Sequence, residues 1–435
     1  MDNLTLGAVG VLAGFVMMAA GMPIGPALAL VSFVGIAQIV NLQAAIGTLA
    51  SVPYSFVGDW NLMAVPMFLL MGYVSSNAGL SRGLFQACRL LLSRLPGGLA
   101  IASVGATALL SAASGSSMAT ASAMAKIATP EMLRFKYDRG LASAVIASAG
   151  TLGSLIPPSI LLILYGFFAG APVGQLFLAG VIPGLVTAVL YATMIIVRCK
   201  LNPELAPPNT DKPTWPEISA ALREVWPLPV LIVSVLSGIT VGIFSPAEAG
   251  AVGAVLAIVI AWFKGGLTLA SMKESVNQTL CGTASVFVIV IATVLLARFM
   301  ALSGVPTFLT ELFVSEATSQ LGIILVVAML YLVLGCFIES IGLLLLTLPI
   351  ILPLVESANM DLVWFGIIVV KLLEIGMVTP PVGLNVYVIN AALNNSVPLK
   401  MIFKGIMWFL VMDIIALSLF VLFPEIVVWL PGLME

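Results

Sequence analysis

Residues 151–162 read "TLGSLIPPSILL" and residues 374–385 read "EIGMVTPPVGLN": one Gly-x-x-x-Pro-Pro core, repeated at an offset of 223. Each copy sits inside a long apolar stretch. A proline pair removes two amide donors and bars the residues before it from helical geometry. Carbonyls near Gly153–Ile156 and Gly376–Thr379 are thereby freed from the helix ladder. Backbone of this kind is tolerated at membrane depth only where protein or a water-lined cavity satisfies it. Pro23 with Pro246 and Pro130 with Pro353 keep the same offset, so the duplication spans both halves of the chain.

The surrounding composition identifies the solvent. Of 435 residues, 61% are hydrophobic and 8% charged, against about 25% charged in soluble domains. Continuous apolar runs recur from end to end, which predicts a polytopic all-α membrane protein and excludes a β-barrel, whose strands alternate. The first run, Leu4 to Ala20, has no basic leader and is not read as a signal peptide. A net charge of −2 with no charged tail gives no reason to expect nucleic acid. The chain has no histidine, which removes the commonest metal ligand and general base together. Its four cysteines are scattered and read as small apolar residues.

Spanning or broken segments are predicted at 4–21, 24–40, 60–80, 138–170, 174–197, 226–242, 246–263, 281–302, 361–393 and 405–424. Two hairpins are predicted at 97–132 and 320–356. Amphipathic stretches at 81–98 and 266–280 are expected to run along the interface as arms. With the N-terminus outside, fourteen of the seventeen basic residues, from Arg82 through Lys212 to Lys404, fall on one face. The exceptions are Lys126, Arg298 and Lys371, and the opposite face carries Asp59, Glu311, Glu316, Glu356 and Asp361. The positive-inside rule makes the basic face cytoplasmic and both termini external. The domain reading is therefore a first repeat at 1–198, a proline-rich linker at 199–223, and a second repeat at 224–435. Five crossings per repeat is odd, so the second copy enters the membrane upside down, as in secondary transporters.

The tip of the first hairpin, "SGSS" at 114–117, places hydroxyls and a glycine where lipid-facing residues would otherwise be. Half-helix N-termini favour an anionic group, and freed carbonyls suit a hard cation such as sodium. Four matched breaks meeting near the midplane predict one anion site flanked by cation sites.

The stretches "SAASGSSMATASAMAKIATPEM", "AGTLGSLIPPSILLILYG", "FIESIGLLLLTLPIILP" and "EIGMVTPPVGLNVYVI" resemble the large membrane (DctM-type) subunit of tripartite ATP-independent periplasmic (TRAP) transporters. The resemblance implies sodium-driven uptake of an organic anion, such as a C4-dicarboxylate or sialic acid. It also implies an elevator movement of a transport domain against a scaffold, in a bacterial inner membrane. The implied partners are lipid, a small four-helix membrane subunit on a separate chain, and a periplasmic substrate-binding protein. Sodium ligation is carried over onto Ser114, Ser116, Gly153, Ile156 and Pro158, and in the second repeat onto Gly335, Glu339, Gly376 and Thr379. Substrate contacts are expected at Ser116, Ser117, Thr120, Pro157, Ser340, Pro381 and Asn385. No cofactor is expected beyond sodium. Related sodium–dicarboxylate symporters carry Ser-Asn-Thr at the hairpin tips, and this chain does not.

Charges within apolar segments are costly and usually functional. Glu339 is read as capping backbone amides or holding sodium. Lys371 and Glu374, three residues apart, are read as a salt bridge, or Glu374 as orienting the Gly376–Thr379 break. Arg298 either snorkels or meets the binding protein, and Asp413 is expected to contact the small subunit. Two other readings compete. One is a stand-alone sodium/anion symporter or antiporter, and the other an intramembrane serine hydrolase, which without histidine has no Ser-His dyad.

Overall fold

The computed structural model describes residues 2–80, 83–207, 213–315 and 319–434. Arg82, Lys212 and Glu316, used above for sidedness, lie outside them. The first half comprises α1 (Asn3–Ala19), α2 (Ile24–Ile39), α3 (Leu42–Val57), α4 (Ala64–Asn77), α5 (Leu84–Leu92), α6 (Gly98–Ser114), α7 (Ser117–Arg134), α8 (Arg139–Gly150), α9 (Leu152–Leu155), α10 (Ile160–Ala169) and α11 (Val173–Leu201). The second comprises α12 (Trp215–Val225), α13 (Pro227–Thr240), α14 (Pro246–Phe263), α15 (Leu269–Ser303), α16 (Val305–Ser315), α17 (Gln320–Gly335), α18 (Ser340–Ser357), α19 (Leu362–Val378), α20 (Leu384–Ala392), α21 (Leu399–Leu422) and α22 (Glu425–Val428). Among the described residues α11, α14, α15, α18 and α21 are each long and apolar enough to cross a membrane, and three bent helix pairs qualify jointly.

The 223-residue offset recurs in the helix boundaries: α7 and α18 begin and end at matched positions, and so do Arg139–Leu155 and Leu362–Val378. Asp138 and Asp361, also matched, cap the latter pair by accepting from Leu141 N (2.8 Å) and Trp364 N (2.7 Å). The contacts repeat too. Helix α2 packs on α15 and α14 on α4; α8 packs on α21 and α19 on α11; α7 packs on α20 and α18 on α10. Exchanging the halves leaves this pattern unchanged, as a two-fold relation between them requires. Helices α8 and α19 lie at the centre: all residues from Gly140 to Gly150 and from Val363 to Val378 are buried. A helix apolar on every side is stable only in such a position.

Three local readings differ from the structure. Leu42–Val57, which falls between the predicted segments 24–40 and 60–80, is helix α3, capped by Asn41, which accepts from Ala44 N (2.7 Å). The stretch 266–280 is no separate arm, because α15 runs unbroken through 35 residues, roughly 52 Å at 1.5 Å per residue. Two close approaches hold α15 against α2: a Cβ on Gly25 would stand 2.7 Å from Val288, and one on Gly35 would stand 2.2 Å from Phe299. Helices enter the linker from both ends: α11 continues to Leu201, and α12 starts at a Thr214–Glu217 capping box.

Candidate functional site

Both hairpins turn inside the protein, and each turn is capped by its own polar side chain. At the first tip Gly115 ends α6 with φ +63°, and Ser116 caps α7 by accepting from Ala119 N (3.5 Å). Glycine is required here by the left-handed backbone and by the carbonyl of Pro158, 3.2 Å from where a Cβ would stand. At the second tip the matched residue is Glu339, which caps α18 by accepting from Gly342 N (3.2 Å). Helices α9 and α10 diverge by 40° around Ile156–Ser159, and α19 gives way to α20 across Thr379–Gly383. Both proline pairs are cis. Pro157 and Pro158 are buried, whereas Pro380 and Pro381 are exposed.

The two tips and the first break share one cavity of about 140 Å³. Gly115, Ser116 and Ser117 line it from the first tip, Glu339 and Ser340 from the second, and Ser154 from the break. Helices α4 and α15 close it with Tyr73 and Gly282. Beneath the hydroxyls lies Glu374, 2% exposed. Its Oε1 accepts from Ser117 Oγ (3.4 Å) and from Ser340 Oγ (3.1 Å), so matched residues of the two hairpins meet on one oxygen. Oε2 is sealed from solvent with no hydrogen-bond partner among the described residues. The residue matched to Glu374 is Thr151, whose hydroxyl is turned back to Ser148 O (2.6 Å). A single carboxylate, from the second half, thus serves both tips.

The remaining expected ligands fall around the breaks. Gly153 abuts the first hairpin, where a Cβ would stand 3.0 Å from Ser111 Oγ and 3.4 Å from the Ser116 carbonyl carbon. Gly335 and Gly376 face each other, and a Cβ on Gly376 would stand 2.7 Å from Gly335 Cα. Gly376→Val is therefore expected to separate the second hairpin from α19 and destabilise the fold by about 1–3 kcal/mol through overpacking, measured as thermal unfolding in detergent. Ser114 Oγ and Thr120 Oγ1 lie 2.5 Å apart beside a separate void of about 60 Å³. Thr379 Oγ1 donates to Ile375 O (2.6 Å), and Ile156 packs against Gly184 of α11. Pro157, Pro381 and Asn385 do not line the shared cavity. Asn385 is fully buried, with neither end of its amide paired among the described residues.

Residues 11–426 match the family described as "Tripartite ATP-independent periplasmic transporter, DctM component". The chain belongs to that family. It is 30% identical to the sialic acid TRAP transporter large permease protein SiaM of Vibrio cholerae, over 95% of this chain and 96% of that one. It is 33% identical to the C4-dicarboxylate TRAP transporter large permease protein DctM of Rhodobacter capsulatus, over 86% of this chain and 87% of that one. The Alcanivorax borkumensis YdaH transporter shares the fold at 15% identity, with a TM-score of 0.60 over 90% of this chain and 89% of that one. This TRAP large permease is a transport protein, not an enzyme.

Two expected charge roles in the permease are corrected. Asp413 cannot reach another chain: it is 1% exposed and its Oδ1 accepts from Lys371 Nζ and Tyr191 OH, both at 2.6 Å. Lys371 accordingly does not pair with Glu374; a carboxylate on the neighbouring helix α21 takes it instead. An i, i+3 spacing reports only what a helix offers itself, and here the neighbouring helices decide. Arg298 is exposed in the last turns of α15. Glu374 is the residue missed as a hairpin anchor. Its sequence signals are its charge inside an apolar segment and its place at the opening of the second Gly-x-x-x-Pro-Pro stretch, two residues before Gly376.

Proposed function

We propose that the permease imports an organic carboxylate, of the C4-dicarboxylate or sialic acid kind, driven by a sodium gradient. It does so with a small membrane subunit and a periplasmic binding protein, in a bacterial inner membrane with both termini periplasmic. The observation that carries this reading is the shared cavity, where both hairpin tips and the first helix break converge over Glu374. Helix starts at Ser117 and Ser340 direct amide dipoles toward an anionic solute. The sodium reading is supported by Glu374 itself. A buried carboxylate without a counter-charge is costly, and the lysine one turn away is committed to Asp413.

The elevator reading is supported by the cavity's lining, in which the hairpin tips and the first break meet α4 and α15. In it the halves are inverted repeats, the hairpin-bearing elements move, and α1–α4 with α13–α15 stay fixed. Exposed Arg298 is then available to the binding protein on the periplasmic side.

Uptake into proteoliposomes containing both partners, with N-acetylneuraminate and succinate as trial solutes, tests this. Uptake is expected with an inward sodium gradient and not with potassium. Ser116→Ala and Gly153→Leu are expected to weaken the sodium dependence, the second more strongly, because its side chain enters the space held by Ser111 and the first tip. Equal uptake without the binding protein would replace this reading with the stand-alone symporter.

A further inference from the structure

A second cavity, of about 500 Å³, opens between the end of α11 and the start of α21. Beside it α21 packs closely on α8, where a Cβ on Gly405 would stand 2.5 Å from Gly140 O. Lys404 and Trp408, four residues apart on one face of α21, line it opposite Arg198. The Arg198 guanidinium lies 4.8 Å from the Trp408 ring centroid, and its Nη1 is sealed from solvent with no acceptor among the described residues. Lys404 is exposed and has no ion pair among the described residues. The carboxylate in the wall, Asp138, already accepts from Leu141 N (2.8 Å) as the cap of α8. Two cations therefore face one carboxylate, leaving a net positive charge, and the rest of the wall, Leu201, Leu205 and Met401, is largely apolar.

An unsatisfied guanidinium N–H asks for an anionic oxygen. The apolar wall, the half-exposed tryptophan and the position at two helix ends place that oxygen at headgroup level rather than in bulk water. Basic pockets between spanning helices recognise anionic headgroups. We propose that this cavity binds the phosphate of an anionic phospholipid. Arg198 and Lys404 hold the phosphate, Trp408 packs on the glycerol ester, and the apolar wall takes the start of an acyl chain. The site lies apart from the hairpin cavity and does not depend on which solute is carried.

Native mass spectrometry of the full-length chain in detergent tests this, with titrations of phosphatidylglycerol, phosphatidylethanolamine and inorganic phosphate. A saturable phosphatidylglycerol adduct is expected where phosphatidylethanolamine gives little. Arg198→Gln and Lys404→Gln should each weaken it roughly five-fold, the equivalent of about 1 kcal/mol per cation at a membrane surface. Lys200→Gln, exposed but outside the cavity, should leave it unchanged. Lys404 is exposed, so its variant reports even if Arg198→Gln fails to fold. Equal binding of phosphatidylethanolamine, equal loss in all three variants, or displacement of the lipid by inorganic phosphate would each overturn the proposal.

Discussion

Glu374→Ala is expected to reduce sodium-driven uptake to background, while Glu374→Gln keeps the hairpin tips assembled and loses most of the sodium dependence. In the native protein one oxygen of Glu374 receives the hydroxyls of Ser117 and Ser340, and both serines are buried. A hydrogen bond to a charged acceptor contributes about 1.5–3 kcal/mol, and a buried donor left without one costs about 1–3 kcal/mol. Losing both bonds shifts the balance between closed and open tips by roughly two to four decades. Glutamine still offers a carbonyl oxygen to both serines, so the tips stay together, but the negative charge that would balance a cation is gone. Uptake at varied sodium separates the two roles, with thermal unfolding as the control for folding. Wild-type uptake in the alanine variant would end the anchoring role. A glutamine variant with unchanged sodium dependence would leave the anchor but remove the charge from the mechanism.

The parts legible in the sequence are those whose cause is local backbone chemistry. Proline pairs lack amides whatever surrounds them, so the breaks at Pro157-Pro158 and Pro380-Pro381 appear where they were expected. Gly115 with its positive φ, and Ser116 and Glu339 as caps, belong to the same class. Helices with a polar face were harder to read. Gln43, Thr48, Ser51 and Ser55 dilute α3 below the level of an apolar run. Lys273, Glu274 and Gln278 hide the continuity of α15. Partners across helices were not legible at all. Nothing in the chain order tells Lys371 that Asp413, 42 residues on, lies nearer its ammonium group than the carboxylate of Glu374 three residues away. The same holds for the meeting of Ser117 and Ser340 on Glu374: the offset matches the two serines, but only the packed fold brings them to one oxygen.

The exposure of the breaks adds a distinction that the repeat alone does not carry. The two halves agree in helix boundaries and contacts, yet the first proline pair is sealed and the second lies open. The first break contributes Ser154 and Ile160 to the shared cavity, while the second packs its Gly376 against Gly335, and Cys336 Sγ lies 3.4 Å from Pro380 O. Matched backbone thus supports unmatched environments, as a carrier whose two faces meet different solutions requires.

Asp413→Ala should be the most destabilising single substitution in the permease, at about 3–5 kcal/mol, the usual cost of stranding one member of a buried ion pair. Lys371 is 3% exposed, and Asp413 is its ion-pair partner among the described residues, so the substitution strands a buried ammonium. Tyr191→Phe removes only one donor to the same oxygen, and Asp413 keeps its lysine, so the loss is about 1.5–3 kcal/mol. Replacing the pair together, Lys371→Met with Asp413→Leu, leaves no buried charge and should unfold near the wild-type temperature. Thermal unfolding of the three variants in one detergent gives the order. A single Asp413→Ala as stable as the double variant would show that the pair is not what holds α11, α19 and α21 together. Uptake adds a second readout. Lys371 and Glu374 sit one turn apart on α19, so the ion pair fixes the rotation that presents Glu374 to both tips. The double variant should therefore recover stability while sodium-dependent uptake stays below wild type, because apolar packing restores the contact without restoring that orientation.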